Sequence, residues 1–290
     1  MEPTGWDAAA ALAKAITYAG TLGAAGAIFF LNYNERSLPD AQRRGIVSSV
    51  VMLCAVAALA GAARILLLTA SIGDSLAGMF DVSFAGMILR AGEGSALAIR
   101  ITGLILCTAV LFPGRVWTRL AFFGALLAAA SFAAVGHVHA LKPNLIPSLL
   151  LMLHLWCGAF WLGALWPLLR VARGGDNSLT AALAARFGKI ALVLVALLVA
   201  AGALLLYRLL GSLVDLWSSD YGRMLSLKLL LVAVLLSAAA VNKLRLTPRL
   251  AAGDAAAALH LRRSIGLEMM LGSLILLVTA AFTSLSGPGA

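Results

Sequence analysis

The sequence has few charged residues. Only 12% of its 290 residues are charged, against about 25% in soluble domains, and 62% are hydrophobic, against about 45–50%. A soluble fold could not bury so much apolar surface, so we predict a membrane protein that crosses the bilayer several times. The 22 basic residues outnumber the 12 acidic ones. They lie in short segments between apolar runs, which is typical of membrane topology and not of a nucleic-acid-binding surface.

Several signatures of enzymes and secreted proteins are also absent. The chain has no P-loop, no dinucleotide-binding fingerprint and no Cys-x-x-Cys motif, which excludes an ATP-driven pump and predicts that the protein is not an enzyme. Its three cysteines, Cys54, Cys107 and Cys157, lie in apolar runs and do not predict a disulfide framework. Residues 1–7 include acidic but no basic side chains, so we expect the first apolar run to be a retained span rather than a cleaved signal peptide.

Eight apolar runs are each long enough to cross a bilayer, which takes about 20 residues in a helix. We therefore predict an all-α integral membrane protein with one membrane domain over residues 1–290 and no soluble domain. The eight spans are predicted at residues 9–31, 46–70, 95–112, 120–140, 148–169, 188–211, 223–241 and 266–285. Residues 72–90 contain glycine and aspartate, and we expect a loop there with a short amphipathic or re-entrant piece.

The distribution of charge predicts the orientation of the spans. Fourteen of the 22 basic residues follow spans one, three, five and seven: Arg36, Arg43, Arg44, Arg115, Arg119, Arg170, Arg173, Arg186, Lys189, Lys243, Arg245, Arg249, Arg262 and Arg263. The other side collects acidic residues, namely Glu2, Asp7, Asp74, Asp81, Glu93, Asp215 and Asp220. Because basic loops stay in the cytoplasm, we predict that both termini lie on the periplasmic side.

Three of the four histidines lie near the predicted outer ends of spans four and five. An imidazole in hydrocarbon needs a partner, and histidine is the commonest metal ligand. Cys157 follows His154 by three residues and shares its helix face, and Met152 is a soft donor nearby. We predict a metal site from His137, His139, His154, Cys157 and Met152. The imidazoles could converge or lie at successive depths; alternatively, each bonds a neighbouring helix and serves packing.

Five further ionisable residues lie inside the predicted spans. We expect Arg64, Arg100 and Arg208 to extend towards the outer interface, where their charged heads reach water. Lys228 and Glu268 could pair if their depths match. The alternative for Glu268 is a place beside a cavity, where it relays protons or receives a cation.

A series of motifs follows in order along the chain: Gly136-His137-Val138-His139-Ala140, the segment from Leu153-His154-Leu155 to Trp161-Leu162-Gly163-Ala164-Leu165, Arg186-Phe187-Gly188, Tyr221-Gly222-Arg223-Met224-Leu225, and Lys228, Asn242, Pro248, Arg263-Ser264-Ile265 and Glu268. In this order they resemble the motifs of the CopD/PcoD family of inner-membrane copper-resistance proteins. The resemblance is densest over residues 120–285. Ala164 stands where the family usually has a second glycine, and no segment resembles the CopC-like domain fused to some relatives.

The resemblance implies that the protein moves copper, as Cu(I) or Cu(II), across the bacterial inner membrane into the cytoplasm. It implies His137, His139 and His154 as the copper ligands and a separate CopC-like periplasmic protein as a partner. Two alternatives stay open. One is a haem-binding electron-transfer protein that uses His139 and His154 as axial ligands. The other is a copper-binding assembly factor for a membrane oxidase, which would bind copper without moving it.

Overall fold

A computed structural model describes residues 4–134, 145–209 and 220–285, and every regular element in these residues is helical. Eight helices are long and apolar enough to cross a membrane, as the hydropathy pattern predicts. We number them in chain order: α1 Gly5–Tyr33, α2 Asp40–Gly73, α3 Val82–Leu111, α4 Arg115–Ala134, α5 Leu145–Arg173, α6 Asn177–Leu209, α7 Gly222–Ala251 and α8 Ala255–Leu285.

Several helices begin well before the apolar runs that predict them. Helix α6 starts at Asn177 and α8 at Ala255, each eleven residues ahead of its predicted start. The added turns are rich in alanine, the best helix former, and they carry the basic residues that end a hydropathy window. A window of apolar residues therefore marks the bilayer-crossing part of a helix and misses its polar extension.

The segment predicted as a loop at residues 72–90 is largely helical. A short 3₁₀ turn at Gly78–Phe80 leads into α3, which starts at Val82 and not near residue 95. Asp81 caps this helix, because its carboxylate accepts hydrogen bonds from the hydroxyl and backbone N–H of Ser83 and from the backbone N–H of Phe84. The Ser83 hydroxyl and then the two N–H groups lower the pKa of this exposed carboxyl. Gly92, which has a positive φ of 100°, kinks α3 ten residues after its start.

The two ends of the bundle differ in charge. Helices α1, α3, α5 and α7 finish at what we term the basic end, where Arg186 donates to the hydroxyl of Ser37 at 2.7 Å. They start at the acidic end, where the Ser71 hydroxyl donates to Asp7 at 2.5 Å and the Lys14 ammonium donates to Thr283 at 2.8 Å. These contacts tie α1 to α2 and α8, and tie α6 to the connection between α1 and α2, and so restrain the relative depth of these helices.

Helix α1 lies at the centre of the bundle and packs on α2, α4, α5 and α8. Its apolar window is 72% buried, against 11% each for the windows of α6 and α7, which lie on the outside. The contact of α1 with α5 depends on two glycines that face each other. A Cβ added at Gly26 would lie 2.0 Å from the Ala159 carbonyl oxygen, and one added at Gly163 would lie 2.5 Å from the Leu22 carbonyl oxygen. Neither position has room for a side chain.

We predict that Gly163→Ala destabilises the protein, because its methyl group would force two backbones apart; overpacking of this kind costs about 1–3 kcal/mol. Thermal unfolding of the purified protein in detergent measures the effect. The matched control is Gly158→Ala on the same helix, where the nearest atom to an added Cβ is Leu198 Cδ1 at 3.8 Å. Equal unfolding temperatures for the two variants would contradict the close helix contact.

Candidate functional site

Of the five predicted metal ligands, His154 has the clearest structural setting. It lies on α5 about 14 Å along the helix from Leu145, with its ring against α6. Its Nδ1 is 3.1 Å from the Leu198 carbonyl oxygen, and a Cβ added at Gly202 would lie 3.2 Å from its Cε1. Because a carbonyl only accepts, Nδ1 carries the proton. Nε2 makes no hydrogen bond within the described ranges, so its lone pair is free to bind a metal.

The other predicted ligands divide into two groups. Cys157 is buried one turn beyond His154 on the same helix face, and Met152 is half-buried on α5. His137 and His139 lie outside the described residues, in the segment that joins α4 to α5. Among the residues that are described, no three His, Cys, Asp or Glu side chains come together as a metal-binding group. His154 and Cys157 alone would therefore be an incomplete site.

The face of α5 that carries these residues continues to a buried carboxylate. His154, Cys157 and Trp161 follow one another at spacings of three and four residues, so they line one side of the helix. Trp161 is 3% exposed, and its side chain is within hydrogen-bonding reach of Glu268 on α8. Glu268 is 2% exposed and also accepts a hydrogen bond from the side-chain amide of Asn242 on α7. Three helices thus meet at one carboxyl group.

The pairing of Lys228 with Glu268, left open by the sequence, does not occur. Asn242 contacts Glu268, and Lys228 precedes Asn242 by fourteen residues, about 21 Å along an ideal helix. The Lys228 ammonium instead lies 5.6 Å from the centre of the Phe282 ring. Lys228 also interacts electrostatically with His154, which places it nearer the acidic end. The depths of the two charges do not match.

The three arginines predicted to reach the outer interface behave differently from one another. Arg208 is exposed, as expected. Arg64 forms an ion pair with Glu93 at 2.7 Å. Arg100 contradicts the expectation, because it is only 6% exposed: its Nε donates to the Ser131 hydroxyl at 3.1 Å, and its guanidinium lies 4.2 Å from the centre of the Phe132 ring. A hydroxyl and an aromatic face compensate for its burial.

Sequence reasoning missed two residues that shape the buried carboxylate. Neither Trp161 nor Asn242 has a role assigned from the sequence. Both belong to the motifs that resemble the copper-resistance family, and that resemblance is the signal that points to them. Asn242 also begins a π-helical turn, Asn242–Leu246, and such turns occur frequently at functional sites. Hydropathy and spacing do not reveal a π turn, so the meeting of Asn242 with Glu268 becomes visible only in three dimensions.

Comparison with known protein families assigns most of the chain. The family described as copper resistance protein D matches residues 181–282, which include Asn242 and Glu268. A second family matches residues 5–142, which include His137 and His139. It is described as the copper resistance protein D-like N-terminal domain. His154 lies between the two matches. No curated protein sequence and no solved structure matches the chain. The two matches show that this multi-pass membrane protein, with a copper-related function, belongs to the copper resistance protein D family.

Proposed function

We propose that the protein carries copper across the bacterial inner membrane, from the periplasm to the cytoplasm, as a carrier and not as an enzyme. Copper is the cargo and is captured at the acidic end of the bundle by His137, His139 and His154. The observation that carries this proposal is the hydrogen bond from His154 Nδ1 to the Leu198 carbonyl oxygen. A metal-binding histidine usually donates its second N–H to such an acceptor, which fixes the tautomer and the ring orientation.

The neighbours of His154 favour a soft cation. Cys157, one turn along α5, and Met152 are sulfur donors. Sulfur ligands favour Cu(I). An extramembrane CopC-like carrier is the proposed source of the ion.

Copper binding tests the site directly. We expect His154→Ala, and the double variant His137→Ala with His139→Ala, each to weaken Cu(I) affinity at least 10-fold and to abolish copper uptake into proteoliposomes. The physical reason is that each change removes a nitrogen ligand that the bilayer interior cannot replace. Affinity is measured by competition with a chromogenic Cu(I) chelator, and uptake by the metal content of washed vesicles.

The matched control for this experiment is His260→Ala. His260 is an exposed histidine of α8 whose Nδ1 lies 2.9 Å from the Ala256 carbonyl oxygen, at the basic end of the bundle. Copper binding that survives loss of all three acidic-end histidines would overturn the proposal. Stoichiometric binding without uptake would favour the assembly factor, and a Soret absorption band in the purified protein would favour the haem protein.

A second prediction concerns the orientation of the His154 ring. Gly202→Val should weaken copper affinity roughly 10-fold, because an added side chain meets the ring and disturbs its bond to Leu198; loss of such a supporting interaction costs about 10–100-fold. Gly266→Val is the control, since a Cβ at Gly266 meets no atom within 4 Å. The same chelator competition measures both, and equal affinities would argue against a metal at Nε2.

The direction of transport requires the acidic end to face the periplasm. We predict that a membrane-impermeant maleimide labels Ala77→Cys in intact spheroplasts and labels Ser178→Cys only after the membrane is permeabilised. Both positions are exposed, at the acidic and basic ends respectively, whereas the three native cysteines are buried and should not react. The reverse labelling pattern would invert the topology and with it the direction of capture.

A further inference from the structure

Glu268 is a carboxyl group in the membrane interior without a neutralising cation. It lies about 20 Å along α8 from Ala255 and is 2% exposed. The Asn242 amide donates a hydrogen bond to it and the Trp161 indole lies beside it, and both groups are neutral. An isolated carboxylate in a low-dielectric interior is very costly, and such a group usually neutralises by taking up a proton. Ionisable groups at this depth commonly belong to ion or proton pathways.

Among the described residues, no charged group on the packed helices pairs with it. On α1, the Lys14 ammonium bonds Thr283, fifteen residues along α8 from Glu268. On α7, Lys228 lies about 21 Å along the helix from Asn242, the residue that contacts Glu268, and its ammonium is near Phe282. The side chain of Lys243 lies beside Gly188 of α6. Helix α5 presents the neutral thiol of Cys157 one turn from Trp161 and His154 two turns away. The only ion pairs recorded within the described ranges are Arg64 with Glu93 and Arg249 with Asp254.

Asn242 supplies the second observation. Its amide nitrogen donates to Glu268 Oε1, but its carbonyl oxygen Oδ1 is buried and has no hydrogen-bond partner in the described part of the chain. A carboxylic acid and a primary amide can pair through two hydrogen bonds. The amide N–H donates to one carboxyl oxygen, and a protonated second oxygen donates its O–H to the amide oxygen. One proton on Glu268 would therefore neutralise the carboxylate and satisfy Asn242 Oδ1 at the same time.

We propose that Glu268 is a proton-binding site, that it holds its proton in an acid–amide pair with Asn242, and that it exchanges this proton as copper passes. The exchange rests on the proposed copper transport, whereas the protonation does not. When Cu(I) enters the bundle from the periplasmic side, the Glu268 carboxyl releases one H⁺ to that side and becomes a carboxylate. The net charge inside the membrane then stays constant, because one positive charge enters as one leaves. When the copper ion departs to the cytoplasm, a proton from the cytoplasmic side binds the same oxygen.

The position of Trp161 connects this carboxyl to the copper ligands. Trp161 is seven residues from His154 on the same face of α5, a rise of about 10 Å, and Cys157 lies between them. A copper ion that leaves His154 towards the basic end therefore approaches Glu268. The indole of Trp161 lies beside the carboxyl group. The Asn242 amide nitrogen donates to the carboxylate, and its oxygen can accept from the protonated form, so each state of the carboxyl has a partner.

Infrared spectroscopy of the full protein in liposomes tests the protonation without copper. We expect a carbonyl stretching band of a protonated carboxylic acid that disappears as the pH is raised and is absent in Glu268→Gln. Asn242→Leu, which keeps the volume and removes the acceptor, should shift the band to higher frequency. Glu35→Gln, at an exposed site of the basic end, is the control and should keep the band. A wild-type spectrum without such a band, or a band that Glu268→Gln leaves unchanged, overturns the proposal.

Proton release tests the exchange. Proteoliposomes that contain a pH-sensitive dye should report proton movement opposite to Cu(I) uptake in the wild type and in Glu35→Gln. Glu268→Gln should lose this movement, and Asn242→Leu should reduce it severalfold. Copper uptake without proton movement in the wild type would overturn the exchange while leaving copper transport intact. Absence of copper uptake, with the infrared band present, would refute the proposed transport and the exchange but not the protonation of Glu268.

Discussion

Every polar group inside this bundle has to find its partner within the protein, because the bilayer offers no water. The indole of Trp156 donates to the Leu126 carbonyl oxygen at 3.0 Å, and that of Trp166 donates to the Ser49 hydroxyl at 3.0 Å. The buried guanidinium of Arg100 has Ser131 and Phe132. These hydrogen bonds run between helices. They therefore satisfy the polar groups and also hold α2, α4 and α5 at fixed rotations and depths.

Two groups with incomplete hydrogen bonding lie on the proposed copper path. Among the described residues, His154 uses one ring nitrogen to contact α6 and has no hydrogen bond at the other, and Asn242 uses its amide nitrogen and has no partner for its oxygen. Each is a half-satisfied group at a place where helices from different parts of the chain meet. A free imidazole nitrogen suits a soft cation, and a free amide oxygen beside a carboxyl suits a proton. On α5, His154 and Trp161 lie on one face, and the proposed copper path runs between them.

Hydropathy alone predicts the eight helices because a bilayer requires long apolar runs, and the structure contains all eight. Hydropathy does not predict the true ends of the helices. The turns that begin at Asn177 and Ala255 are helical and rich in alanine, but polar and basic residues interrupt the apolar run there. Spacing predicts that His154 and Cys157 share a face, because both lie on one helix. It cannot predict that Glu268 meets Asn242 rather than Lys228. Which residue contacts Glu268 depends on the relative depth of α7 and α8 in the bundle. That depth cannot be read from the residues of the connecting loop.

The glycine contact between α1 and α5 has a consequence for how the protein moves. Two backbones in direct contact at Gly26 and Gly163 cannot tilt or slide without a clash, so this pair is the rigid part of the molecule. Helices α6 and α7 are less buried, with only 11% of each apolar window inside the bundle. We expect their tilt to respond to the thickness of the surrounding bilayer. Since α6 contacts the His154 ring and α7 carries Asn242, we expect the lipid composition of the membrane to affect both groups.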